Sequence, residues 1–395
     1  MTADGRQGTA ARANTGRTVA VIGGGIGGLA GALAFARTGA QVTVFEQAPE
    51  LREFGAGLQI TPNGGVVLKA LGLEAAAAAR SVRGEAVVPS DALTGREIAR
   101  FDLNQLDGIP YRFFHRGELL EILAEGCRGA GVVLRTGVRI GAASPEEGRI
   151  TIAGGETLAF DVIVGADGLH SVLRPVLNGP DKPFFTGQVA WRAVIDAPGT
   201  APEARIWMAP GRHIVTYPLA GRRLNIVAVQ ARRGWADEGW NHPDDPENLR
   251  SAFSDCAPEI KAMLEKVGTA RLWGLFRHPF APKWQRGRAA ILGDAAHPTL
   301  PFLAQGANLA LEDAYVLARE CDRSPDLGAA LAAYELARQS RVRKAIAAAN
   351  GNAINYHLAG VSRRMAHAGL RTLGIVAPQM FLRRMDWLYG QDVTA

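Results

Sequence analysis

The sequence predicts an α/β fold. A helix-wrapped parallel sheet is interrupted by a mostly antiparallel sheet and followed by a helical C-terminal region. Three observations predict it. From Thr18 to Glu46 an apolar run, a glycine-rich turn, a helical stretch and a second apolar run follow one another, the pattern of a right-handed βαβ unit. Residues 181–285 hold most of the Trp and many β-branched residues, in short runs separated by Pro, Gly and Arg turns. At Ala289 the α/β texture resumes, and beyond Leu327 the chain reads as helix. The expected division is a disordered leader over 1–17, a discontinuous first domain over 18–180 and 286–350, an inserted sheet domain over 181–285, and C-terminal helices over 351–395.

Taken in order, Thr18–Gly23 is the first strand, Gly25–Arg37 a helix ended by Gly39, and Gln41–Glu46 the second strand. Gly117–Cys127 reads as helix through Leu119, Leu120, Ile122 and Leu123, and Val132–Leu134 as the next strand. Ile150–Ile152 and Leu158–Phe160 flank Gly154-Gly155 as a hairpin, and Asp161–Gly165 is a fully apolar strand. Within the insertion, residues 187–195, 204–208, 213–219 and 223–230 read as strands. Ala289–Leu292 is β-like, a stiff loop carries Pro298 and Pro301, and a helix opens at Gln305-Gly306-Ala307-Asn308.

Composition bounds the function. A chain of 395 residues, 47% hydrophobic and 21% charged, can bury a large core. The net charge of +6 is scattered, with Arg222-Arg223, Arg232-Arg233 and Arg363-Arg364 as isolated pairs. That pattern excludes a nucleic-acid footprint and leaves a mild field attractive to anionic substrates. Cys127, Cys256 and Cys321 are odd in number and lack CxxC spacing, which argues against a disulfide framework or zinc site and for a reducing, cytoplasmic setting. Residues 1–17 lack the apolar core of a signal peptide, and no apolar run is long enough to span a membrane. The histidines are dispersed without ligand spacing, so no metal is expected.

Three turns carry the chemistry. Gly23-Gly24-Gly25-Ile26-Gly27-Gly28 fits G-x-G-x-x-G between a strand and a helix, and Glu46 ends the next strand roughly 20 residues on. This is a Rossmann-like fingerprint. Gly23 permits the turn, Gly25 and Ile26 lie where a pyrophosphate meets the helix N-terminus, Gly28 allows close packing, and Glu46 accepts ribose hydroxyls. Alone it does not separate NAD from FAD. Asp161–Arg174, DVIVGADGLHSVLR, is a second strand-turn-helix with Asp167-Gly168 at its tip. Gly293-Asp294, followed by Pro298, is the third, with Asp294 placed to accept a ribityl or ribose hydroxyl. Two of these turns lie far apart in sequence, which suggests one long ligand held at both ends.

GGGIGG with Glu46, ADGLHSVLR and LGDAAHPTLPFLAQGANLALEDA, in this order, resemble the motifs of the single-component flavoprotein aromatic hydroxylases, the para-hydroxybenzoate hydroxylase-like family. The resemblance runs from Thr18 to the C-terminal Trp387-Leu388-Tyr389 and takes in FGAGLQITPN at 54–63, HRGELL at 115–120 and VAWRAVI at 189–195. It implies a tightly but non-covalently bound FAD, NAD(P)H as a transient co-substrate without a domain of its own, and O2. It also implies that Arg116 contacts the flavin, and that Gly306, Ala307 and Asn308 approach the isoalloxazine ring, where the helix N-terminus stabilises negative charge.

Hydroxylation through a C4a-hydroperoxyflavin needs an electron-rich ring and a base near its hydroxyl. His213 and Tyr217, in RHIVTYPL, stand four apart on an expected strand and so share a face with Val215. The pair resembles the His and Tyr of hydroxylases that act on hydroxybenzoates and hydroxynicotinate. Arg192 is a candidate carboxylate partner. His297 reads as a residue that structures the flavin loop. At Pro301 the chain departs from members of this subgroup that carry a polar residue, which leaves the substrate open. The expected function is hydroxylation of a small phenolic or N-heteroaromatic acid by a monomer or homodimer. The alternatives are a related flavoenzyme acting on a larger polycyclic phenol or as an epoxidase, and a flavin-binding scaffold without turnover.

Overall fold

The computed structural model describes residues 12–51, 57–232, 234 and 242–395. Phe54, Gly55 and Ala56 of the FGAGLQITPN segment, and residues 1–11 of the expected leader, lie outside the described residues. The rest of that leader is packed, not loose. Asn14 is buried and its Nδ2 donates to Ala318 O at 3.0 Å, while Arg17 Nη1 donates to Cys321 O at 2.7 Å.

The first sheet has the order 285–286, 289–291, 162–165, 18–22, 41–46, 133–136. Every pairing in it is parallel except the one at the 285–286 edge. Thr18–Ile22 lies at its centre because its run TVAVI is apolar on both faces, as a strand covered on both sides requires. In register, Ile22 stands beside both Gly165 and Phe45, and Gly165 stands beside Ile291. The three turns that follow these strands, and the end of the 41–46 strand, therefore emerge along one edge of the sheet.

The Ile26–Arg37 helix is almost wholly buried between this sheet and the Gly306–Arg323 helix. Small residues set the approach. A Cβ on Gly27 would come within 2.8 Å of Leu292 and 3.2 Å of Ala310. The next helix is one rod of 30 residues, Leu327–Tyr356, so the boundary expected at residue 350 falls inside it. Gly360–Val376, Pro378–Arg383 and Asp386–Tyr389 complete the helical C-terminal region.

The second sheet has eight strands, in the order 242–244, 270–277, 184–196, 223–231, 212–219, 203–209, 86–91, 101–102. Two of them come from well before residue 181, and Ala86–Asp91 pairs in parallel with Glu203–Ala209. The insertion also contains the helices Pro246–Ala252 and Pro258–Glu265. These cover one face, packing Leu249, Ile260 and Leu264 against Trp191, Ile214 and Ile226. Strand alternation then sends the neighbouring residues to the other face, toward the first domain.

Candidate active site

The glycine fingerprint separates what the chain needs from what a ligand needs. Gly23 has φ +104°, and a Cβ there would meet Ala166 O at 2.4 Å. A Cβ on Gly28 would meet Gly23 O at 2.0 Å. Protein geometry alone requires both glycines. Gly25 is different. Its φ of −74° suits any residue, and nothing among the described residues lies within 4 Å of a Cβ built on it. The space beside Gly25 is open, and a side chain would fill it. The helix that follows has no side-chain cap and no acid in its first turn, so its N–H groups face that space unneutralised.

Glu46 closes the same turn. Gly24 N–H donates to its Oε2 at 2.7 Å and Ala48 N–H to its Oε1 at 2.8 Å. Each carboxylate oxygen keeps acceptor capacity for a hydroxyl. Next along the edge, Asp167 Oδ2 accepts Val172 N–H at 2.7 Å, while Oδ1 is buried and has no partner among the described residues. Burial pushes this carboxyl above the usual range, partly offset by bonds from Ser171 and Val172. Gly168, at φ +70°, makes the turn. Arg174 then ties the second motif to the third. Its guanidinium is buried and donates to Ala295 O at 3.0 Å, Pro279 O at 2.6 Å and Asp181 at 2.8 Å.

Gly293, at φ +58°, turns Asp294 to the surface. Asp294 is exposed yet crowded by protein, as on the wall of a groove. That crowding pushes its carboxyl up, partly offset by His297 and Arg116, so Arg116 shares the groove with it. Pro298 is buried and Pro301 half-buried in the loop beyond. The Gly306–Arg323 helix starts without a side-chain cap or a first-turn acid, and Gly306 and Ala307 are partly exposed. Asn308 is spent inside the protein. Its Oδ1 accepts Thr61 N–H at 3.0 Å and its Nδ2 donates to Gln59 O at 3.0 Å and Ala304 O at 2.6 Å, which leaves its side chain clamping the loop and its backbone for any ligand. An open cradle, an unsatisfied buried acceptor, an accessible carboxylate and two uncapped helix starts fit a long, anionic, hydroxyl-bearing dinucleotide such as FAD.

Behind this edge lies an ionic cluster that motif reading did not find. Glu312 and Asp313 are fully buried. Arg338 binds both, by Nη1 to Glu312 Oε2 at 2.6 Å and by Nε to Asp313 Oδ1 at 2.8 Å. Arg341 adds a second cation on Glu312, and Asn63 Nδ2 donates to the same carboxylate at 2.6 Å. Asp313 Oδ2 accepts Gly293 N–H at 3.1 Å and bonds to His297 Nε2. Burial alone would raise Asp313, but His297 and Arg338 outweigh it and hold the carboxyl down at about 2. His297 is thus a loop-holding residue. The available signal was two adjacent acids, Glu312-Asp313, inside an apolar helix pattern.

The inward face of the inserted sheet supplies the remaining candidates. Cross-strand register aligns Met208, His213, Val229, Ala190 and Trp273 in one row. Val215, Val227 and Arg192 form the next, and Tyr217, Asn225 and Val194 a third. His213, Arg192 and Tyr217 therefore share one face. The loop after Pro298 packs on it, with Phe302 against His213 at 5.3 Å between ring centroids. Gly57 N–H donates to Asn225 Oδ1 at 2.6 Å, and Phe113 packs on Tyr217 at 5.2 Å. Arg192 stacks on Trp273 at 4.5 Å. Burial pushes the Tyr217 hydroxyl above its ordinary pKa, with Arg192 and Asn225 partly offsetting it. His213 Nδ1 lies 2.8 Å from His357 Nε2, a partner 144 residues away at the end of the long helix. Burial and that neighbour push His213 well below the usual histidine range, and burial holds His357 at about 4.

Among the described residues no group of three or more His, Cys, Asp or Glu could hold a metal, and no helix is long and apolar enough to cross a membrane. The three cysteines are free and buried.

Comparison with known proteins agrees with this geometry. The family described as FAD binding domain matches residues 17–349. A 3-amino-4-hydroxybenzoate 2-monooxygenase of Streptomyces platensis is 34% identical over 393 residues, covering 94% of this chain and 95% of that protein. A 3-hydroxybenzoate 6-hydroxylase of Aquipseudomonas alcaligenes is 32% identical, covering 95% and 98%. A solved salicylate hydroxylase substrate complex superposes with a TM-score of 0.80 at 25% identity, covering 96% of each chain. The chain belongs to the FAD binding domain family and is an FAD-dependent aromatic hydroxylase of the single-component flavoprotein type.

Proposed function

We propose that the chain hydroxylates a small hydroxyaromatic carboxylic acid at the expense of NAD(P)H and O2, with His213 and Tyr217 handling the ring hydroxyl. The observation that carries this reading is the inward sheet face, where a neutral base, a protonated phenol and a cation stand in three adjacent rows. The relatives named for hydroxybenzoate chemistry support the same substrate class.

Gly25, Ile26, Glu46, Asp167, Gly168, Gly293, Asp294 and the Gly306-Ala307 helix start hold FAD in this reading, with Arg116 beside Asp294. FAD, when bound, would supply the redox chemistry that links NAD(P)H, O2 and the ring. The chain's own residues prepare the ring. His213 is neutral near pH 7, because burial and His357 disfavour its cation, so it accepts the proton of the ring hydroxyl. Tyr217 stays protonated and donates a hydrogen bond to the phenolate oxygen. Arg192 attracts the carboxylate. Leu300 and Phe302 keep the face dry.

The exposed Val361, Met365, Ile375 and Val376 on the Gly360–Val376 helix support a homodimer, and the free buried cysteines support a reducing compartment. The test of function is NADH and NADPH oxidation over a panel of hydroxybenzoates, hydroxypyridine acids and larger phenols, with product identification. Hydroxylation of a small hydroxyaromatic acid is expected. Turnover only with polycyclic phenols, or with none, overturns the substrate class. In His213→Ala, hydroxylation is expected to slow by ~10²-fold or to divert to H2O2 with flavin content unchanged; full coupling at the parent rate removes His213 from the mechanism.

A further inference from the structure

His213 is 2% exposed, so a proton it takes from a bound ring has no direct way to water. Its Nδ1 is committed to His357 Nε2 at 2.8 Å, which leaves Nε2 for a ligand. The ring is walled by Phe302 at 5.3 Å and Tyr356 at 5.1 Å between centroids, and neither carries a group that accepts a proton near neutrality. His357 is the one titratable group among the described residues in hydrogen-bond contact with it. His357 is only half-buried. It follows the last residue of the Leu327–Tyr356 helix, beside the exposed Ala359 and Gly360, and its carbonyl accepts Gly211 N–H at 3.1 Å from the turn between two strands of the sheet. On the following helix Arg363 is paired with Asp91 at 2.6 Å, and His367 lies on the same Asp91.

We infer that His213 and His357 form a two-imidazole relay that carries the substrate's hydroxyl proton from the buried face to solvent. The inference rests on the proposed hydroxyaromatic substrate. The ring hydroxyl gives its proton to His213 Nε2. His213 gives its Nδ1 proton to His357 Nε2, and His357 gives its Nδ1 proton to water. One proton enters the pair and one leaves, and no charge is stored on either ring. Both imidazoles end neutral with their tautomers exchanged. Reprotonation of the product before release runs the same steps backward and restores the starting tautomers. Because burial disfavours either cation, concerted transfer along the pair is the route that avoids an isolated buried imidazolium.

The experiment mixes oxidised FAD-loaded protein with 3-hydroxybenzoate in weak buffer and follows proton release with a pH indicator by stopped flow, in parent, His357→Ala and His357→Gln. Far-UV spectra and flavin content confirm folding. Gln keeps a hydrogen bond to His213 but passes no proton. The expected result is release slowed by roughly tenfold or more in both variants, ligand Kd within about twofold of parent, and recovery by added imidazole in His357→Ala but not His357→Gln. Unchanged release in both variants overturns the relay while leaving the hydroxylase reading intact. Slowed release that imidazole does not restore in His357→Ala makes His357 a structural neighbour and also overturns it. If the parent binds no hydroxyaromatic acid and none stimulates NAD(P)H oxidation, the substrate reading itself fails, and the relay with it.

Discussion

Successive turns of the Gly306–Arg323 helix follow opposite rules. At its start nothing caps the helix, its first-turn N–H groups are unneutralised, and Gly306 and Ala307 are partly exposed. Two turns on, Glu312 and Asp313 are fully buried and each is bound by an arginine. The difference teaches how to read polarity in this fold. Charge whose needs the chain meets itself is structural, and polar capacity that it leaves unmet at an accessible edge belongs to a ligand.

Four measurements test this contrast. The largest effect is expected behind the edge. Arg338→Leu removes the one cation shared by two buried carboxylates and should cost about 3 kcal/mol of apoprotein stability by denaturant unfolding, with Arg341 and His297 left to hold them. A loss under about 1 kcal/mol would show that the cluster does not anchor the fold. At the edge the effect should fall on binding instead. Gly25→Val should weaken FAD by ~100-fold, about 2.7 kcal/mol, while the apoprotein midpoint stays within about 1 kcal/mol of parent. An apoprotein as destabilised as Arg338→Leu would mean that Gly25 serves the chain and not the cofactor.

Glu46→Ala lies between the two, because its oxygens hold Gly24 and Ala48 as well as facing the groove. A roughly tenfold loss of FAD affinity is expected in equilibrium titration, with a smaller fall in stability. Unchanged affinity would remove the ribose assignment.

The smallest effect is electrostatic and differs in sign across the helix. Asp313 has a depressed folded pKa of about 2, so its contribution is present above the unfolded value near 3.8 and is lost as pH falls toward about 2. Asp294 has a raised folded pKa, so its favourable contribution is present below the unfolded value and is lost as pH rises through the folded one. Asp294→Asn should therefore slightly raise the apoprotein Tm at pH 7 while weakening FAD. Asp313→Asn should lower Tm at pH 7 and flatten its fall below pH 4. A Tm at pH 7 that drops in Asp294→Asn would contradict the reading of Asp294 as a group held for a ligand.

Much of this was legible in the sequence because it is local. Gly23–Gly28 with Glu46, Asp167-Gly168 and Gly293-Asp294 each announce themselves within a single turn, and parallel pairing aligns strands whose apolar runs are visible. The shared face of His213 and Tyr217 follows from the strand period alone. What was not legible is what chain distance hides. Asn63 reaches Glu312 across 249 residues and His213 meets His357 across 144. Neither Asn63 nor His357 has a local signature, since a polar side chain in or beside a helix looks solvated until a distant element removes the water. Ala86–Asp91 joined the second sheet for the same reason, because its partner strand lies beyond the whole of the helix and hairpin that follow it.

The Leu327–Tyr356 helix carries Arg338 and Arg341 near its middle and delivers His357 just past its end. From Arg341 to His357 is 16 residues, which a continuous helix spans in ~24 Å and a little under four and a half turns. One inserted residue would rotate everything beyond it by ~100° and swing His357 off His213, while leaving the arginines in place. Over this stretch the gene can drift in letters but not in length, since even a step of seven, which almost restores the phase, would carry His357 ~10 Å along the helix axis.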